Sequence, residues 1–245
     1  MFGFDPDTTI ADLTESADAP TIRNYRSDVL IGSLGFCIIS LLVFAIWAFA
    51  GRALSRSIGE GGFYAVCAVA FVGLSGVLFD RQVFGRRTLG KFYLLFTTAF
   101  FAYSTLWCVA WFLFRRPSTE WYGFLTGPRP AGVEGALLGI MAMAAVLCRG
   151  FRNWKPFGII CVILFATNAV GYFLGDATFS WLLSENAAES LSLTKANRIL
   201  LAKLSWGLFY GLGFGYGIAD ALYRLQSPIW EHLSSTPNAT KSPPV

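Results

Sequence analysis

The chain carries little charge for its length: Asp, Glu, Lys and Arg make up 14% of its 245 residues. Soluble proteins carry roughly a quarter. It has one histidine, His232, which lies outside every apolar run. Histidine-based acid–base, nucleophilic and zinc chemistry therefore lack their usual residue. No HExxH, P-loop or dinucleotide fingerprint occurs, nor any CxxC pair or carboxylate cluster of the kind magnesium-dependent lipid enzymes use. The sequence assigns no catalytic residue, metal site or cofactor. Runs of bases are missing too. The net charge of +4 comes mostly from scattered loop arginines, so nucleic acid is not an expected partner.

What is abundant is apolar. Hydrophobic residues make up 55% of the chain, and the mean hydropathy is +0.54. Six long runs lack an alternating polar face: 29–51, 62–79, 92–114, 131–148, 157–175 and 199–222. Each fits the roughly 20 helical residues that a bilayer core of about 30 Å requires. They are continuously apolar, which favours helices over the alternating strands of a membrane barrel. The expected fold is all-α: a polytopic bundle of six transmembrane helices with short loops, over residues 28–225. An acidic segment, 1–27, and a Ser/Pro-rich segment, 226–245, read as flexible cytoplasmic tails. Cys37, Cys67, Cys108, Cys148 and Cys161 all fall inside the runs, where cysteine serves as a small packing residue.

Lysines and arginines outside the runs predict the orientation. Eleven lie on the side of the N-terminus and seven on the other. The positive-inside rule then puts both termini in the cytoplasm, with the protein in the plasma (inner) membrane. Residues 1–20 contain no base and no apolar core, so the first span is expected to serve as its own insertion signal. Between the third and fourth runs, Trp121, Tyr122 and Phe124 stand among prolines and predict an interfacial anchor. Between the last two, 176–198 predicts a short amphipathic helix on the membrane surface. The Asn-Ala-Thr at 238–240 fits a glycosylation sequon, to which a cytoplasmic tail would give no access.

The stretch "AKLSWGLFYGLGFGYGIADALYR", residues 202–224, puts five glycines, Lys203 and Asp220 into one helix. At 100° per residue Gly207, Gly211 and Gly215 share one face, and Gly213 and Gly217 lie roughly opposite. Both sets follow the small-xxx-small spacing that lets backbones approach closely. They predict a helix between two neighbours, either within the bundle or across a dimer. Lys203 is expected to snorkel to the headgroups, and Asp220 to pair with Arg224 one turn on. At mid-depth Ser104, Thr105, Asn168 and Tyr210 form an uncharged polar belt. Together with Asp220 they are candidates for a solute path, or else for interhelical hydrogen bonding.

Two short motifs resemble known families. "GLSGVLF" at 73–79 resembles the GxSG segment of rhomboid proteases, which would make Ser75 a nucleophile. His232, the sole histidine, lies in the C-terminal segment, so the serine has no base. "GVLFDRQVFGRR" at 76–87 resembles the loop between the second and third spans of major facilitator transporters. Gly76, Asp80, Arg81, Gly85, Arg86 and Arg87 match in type. The resemblance implies a charge-relay clasp between Asp80 and the arginines. The match departs from that family by two extra residues between Arg81 and Gly85, and by six spans against its twelve. Basic loops are also what topology alone requires.

Two functional readings follow. One is a structural or accessory membrane subunit, associating through its Gly-rich helix faces into a homo-oligomer or membrane complex. The alternative is a small-solute transporter acting as an oligomer, with the 76–87 loop as its gate. In both, the lipid bilayer is the immediate partner.

Overall fold

Apolar runs set where the helices lie; polar caps and glycines set where they stop. A computed structural model describes residues 4–15, 24–85, 88–114 and 128–235, which are all-helical with no strand. The elements are α1 (Pro6–Glu15), α2 (Tyr25–Ala45), a wider π turn (Ile46–Ala50), α3 (Gly51–Asp80), α4 (Leu89–Phe114) and α5 (Pro128–Gly150). Then come α6 (Phe157–Leu183), α7 (Glu185–Ser190), α8 (Lys195–Leu225) and α9 (Ser227–Ser235). Asn24 caps α2 by accepting from the Arg26 N–H at 3.0 Å, and Thr194 caps α8 by accepting from Asn197 at 3.3 Å. At the far end of α3, Gln82 donates its N–H to the Phe79 carbonyl at 2.9 Å, tightening the last turn.

Four stretches are long and apolar enough to cross a membrane: Tyr25–Asp80, Leu89–Ala110, Val133–Gly150 and Phe157–Leu183. This is fewer than the six spans expected from the sequence, for two physical reasons. Tyr25–Asp80 runs 56 residues without an unstructured break, yet it folds back at Gly59, whose φ of 75° suits glycine. The two arms pack antiparallel, with Gly32 against Phe79, Gly35 against Leu78, and Gly51 near Phe63. In α8, glycines, tyrosines and Lys203 dilute the apolar character below that of the other four stretches.

Around the bundle the order is α2, α3, α4, α5, α6, α8 and back to α2. The contacts of α8 with α2 and α6, and of α4 with α5, are extensive. Those of α3 with its neighbours are sparse. The core is solid toward the end that carries both termini. There Phe36, Phe79, Phe96 and Phe214 are fully buried, with the Phe36 ring 5.9 Å from Phe79 and 5.6 Å from Phe214.

Parts of the expected tails are docked. Phe4 is buried, its ring stacked 5.0 Å from Phe151, and Asp5 pairs with Arg152. The helix α1 follows and touches α9, in which Ile229 and Leu233 are buried. The apolar contacts join both segments to the helical bundle. Residues 176–183 continue α6 instead of forming a surface helix; only Glu185–Ser190 forms a separate turn of helix. The Trp121–Phe124 loop and the 238–240 sequon lie outside the described residues.

Candidate functional site

At the terminus-bearing end a buried polar network locks the turns together. Asp220 is fully buried and accepts from the Tyr25 hydroxyl at 2.7 Å and from Arg224 Nε at 2.8 Å. One turn beyond, the Gln226 side chain accepts from the Phe84 N–H at 2.7 Å and donates to the Gln82 and Leu222 carbonyls at 2.9 Å each. Gln82 in turn donates to the Asp28 carbonyl, and Asn153 to the Leu225 carbonyl. Helix ends and turns leave orphan carbonyls and N–H groups, and this network satisfies them where no water is supplied. Its chemistry is structural: each bond named ties one turn or helix end to another, and the Gln82 side-chain oxygen is left buried without a partner.

Both glycine faces of α8 are covered by helices of the same chain. A Cβ on Gly211 would lie 2.7 Å from the Cys37 Cα, and one on Gly215 2.6 Å from the Phe36 Cβ, both on α2. On the other face Gly213 meets the Thr167 carbonyl oxygen, and Gly217 meets Leu164, both on α6. Gly207 faces Phe44. Ser40 and Ser33 use the close approach to donate to the Gly207 and Leu212 carbonyls at 2.7 and 3.0 Å. These faces are therefore spent inside the bundle and are not surfaces for a second chain.

Of the implied clasp the described residues include Asp80 and Arg81, and these two form no ion pair with each other. Arg81 is exposed, Asp80 is half-buried, and Asp80 makes no ion pair among the described residues. Arg86 and Arg87 lie outside them. Ser75 is fully buried without a partner for its hydroxyl, and Gly76 packs against the Tyr93 ring. No three His, Cys, Asp or Glu side chains cluster as metal ligands would among the described residues.

The mid-depth belt divides. Ser104 and Tyr210 line one cavity. Asn168 is buried nearby, where the Tyr103 hydroxyl interacts with it and with Tyr210, and its carbonyl oxygen has no partner. Thr105 faces outward. Asp220 stands ten residues from Tyr210 along α8, roughly 15 Å at 1.5 Å per residue. The five candidates are not assembled into one path.

The more prominent feature was not read from the sequence. Beyond mid-depth, toward Gly59, the bundle is hollow. A cavity of about 390 Å³ lies between Val43, Phe44, Trp47, Phe63, Tyr64, Cys67, Phe71, Trp107 and Trp206. A second, of about 310 Å³, shares Phe44, Trp107 and Trp206 with it and adds Phe100, Tyr103, Cys108 and Tyr172. Tyr64 is 67% exposed, so the first cavity reaches the bundle's outer surface beside the loosely held α3. Three of the eight tryptophans stand on these walls. That was the available signal. Tryptophan prefers the membrane interfaces, whereas Trp107 and Trp206 sit well inside their helices.

No protein-family model matches this chain, and neither does any curated protein or solved structure. The functional reading rests on the geometry alone.

Proposed function

We propose that the chain is a six-span plasma-membrane protein, with both termini cytoplasmic, that acts as a non-catalytic accessory component. In this reading it holds a membrane-dissolved apolar molecule in its aromatic cavity. The observation that carries the binding role is the pair of adjacent cavities that share Phe44, Trp107 and Trp206 as walls. Each falls within the few hundred Å³ typical of ligand sites, and the walls are mostly apolar with few polar groups. Aromatic rings give an aliphatic chain large contact area. Opening beside α3 gives entry from the lipid.

Parity supports six crossings. The fold-back at Gly59 makes two arms of Tyr25–Asp80, so the four apolar stretches provide five crossings. An odd number would put the ends on opposite sides, yet α1 touches α9. Counting α8 as a crossing removes the conflict.

The test is quenching of tryptophan fluorescence by a neutral lipid with brominated chains, added to detergent-solubilised protein. Saturable quenching of the wall tryptophans is expected, and a Cys67→Trp, Ser104→Phe double variant that fills the space should lose the saturable part. Quenching that only rises linearly in both proteins would overturn the reading.

A transporter is the second reading. The observation favouring it is the buried Asn168 carbonyl oxygen, unpartnered beside Tyr103 and near the second cavity. Solute flux in proteoliposomes, abolished by Asn168→Leu without loss of abundance, would favour it over an accessory role.

A further inference from the structure

The aromatic cavity has a charged roof. Trp47, Phe63 and Tyr64 wall it and also a smaller space of about 190 Å³ that contains Arg52, Ser55, Glu60 and Lys203. Lys203 lies eight residues into α8, about 12 Å from its start at 1.5 Å per residue. It does not extend to the end of the helix as a snorkelling lysine would. Its Nζ instead lies 4.5 Å from the centre of the Trp47 indole and donates to the Trp47 carbonyl at 3.4 Å. Trp47 belongs to the π turn Ile46–Ala50, where the regular i→i−4 ladder is interrupted and a carbonyl can face sideways. The cation–π contact and one long hydrogen bond use part of the ammonium's capacity, since it has three donors. No carboxylate pairs with Lys203 among the described residues. Glu60, the acid in this space, is exposed, and Arg52 stands in the same space to offset its charge. A half-buried ammonium with no ion pair among the described residues, above an apolar cavity, is an unfavourable arrangement in a bilayer unless an anion completes it.

Building on the cavity-binding reading above, we infer that the site takes one anionic lipid of the bilayer, its chain between Trp107 and Trp206 and its phosphate against Lys203. The distribution of polarity fits such a molecule: apolar below Trp47, cationic above it. An uncharged hydrocarbon would leave the ammonium uncompensated, and a free phosphate would leave the aromatic walls empty.

The experiment is native mass spectrometry of the detergent-purified protein, with phosphatidylglycerol and phosphatidylcholine of the same chains added in competition. Wild-type protein should retain phosphatidylglycerol over phosphatidylcholine by about tenfold, the ratio that about 1.4 kcal/mol sets. Lys203→Gln should bring the ratio near one while still retaining either lipid. Lys203→Arg should restore it. If Lys203→Gln does not purify, Trp47→Leu removes the ring that positions the ammonium, and the ratio should fall there too. An unchanged preference in these variants would overturn the inference, as would equal retention of both lipids by the wild type; the cavity reading would survive either result. Free inorganic phosphate competing equally well with the lipid would also overturn it. If the wild type retains no lipid of either kind, the cavity reading fails and the inference with it.

Discussion

Asp220 shows how a residue that looks functional by type can be structural by context. An acid inside an apolar helix is a functional candidate by default. Here it is fully buried but has two donors, Tyr25 and Arg224, and it lies on the wall of neither aromatic cavity. Replacing it with Asn should lower stability by about 1–3 kcal/mol, since hydrogen bonds to charged groups are worth about that much and Arg224 retains access to the surface. Tyr25→Phe should cost less, and the double variant less than the sum, because the two side chains share one hydrogen bond. Thermal unfolding in detergent reads all three; strict additivity would show that the Tyr25–Asp220 contact contributes nothing. Asp80 should behave differently. With no ion pair to lose among the described residues, Asp80→Asn is expected to leave abundance, unfolding temperature and any lipid retention unchanged. Normal abundance with altered flux in that variant would restore the gate reading of the 76–87 loop.

At the scale of elements, α8 is the joint of the bundle, and its glycines decide how closely α2 and α6 can lie. Gly211→Leu and Gly213→Leu would each push a side chain into another helix's backbone, at Cys37 and Thr167 respectively. Both should cost more than the 1–3 kcal/mol typical of overpacking against movable side chains. Gly90→Ala, with nothing within 4 Å, should be nearly silent. If Gly211→Leu and Gly213→Leu melt with the wild type, the close approach on both faces is not what holds the helix. Glycine spacing on a helix is a local property with a direct geometric consequence, so a sequence alone can propose such packing. The helices themselves were legible for the same reason. The reversal between the runs 29–51 and 62–79 was legible as well, whereas its making by one glycine, Gly59, with no unstructured loop was not, since any glycine in "SIGEGG" reads the same in a loop or a kink. The cavity was hidden for a deeper reason. The walls of the two adjacent cavities gather Phe44, Phe63, Trp107, Tyr172 and Trp206 from five helices, and nothing in the spacing along one helix says that these residues will converge there. The docking of Phe4 beside Phe151 was equally non-local.

For the whole molecule, the parity of crossings and the distribution of bases are independent arguments that must agree. The bases put the larger share, including Arg149, Arg152 and Arg224, at the end where α1 meets α9. The turns at that end are also the ones joined by Gln82, Gln226 and Asn153, so they lie together whatever the membrane does. If that end is cytoplasmic, the turn around Gly59 and the α6–α8 connection face outside. Ser57 and Ser235 are both exposed and stand at opposite ends of the bundle, so each can carry a reporter. In a variant whose five native cysteines are replaced, Ser57→Cys should react with an impermeant thiol reagent added to intact cells, and Ser235→Cys only after permeabilisation. Labelling of both from outside would break the even count of crossings, because the two positions would then share a side. Labelling of Ser235→Cys alone would keep the count and invert the protein, placing Lys203 and its anion site at the inner leaflet. The lipid preference inferred for that site does not depend on which outcome is found, since the polarity gradient from Trp206 to Lys203 is fixed by the fold. The leaflet that supplies the lipid does depend on it.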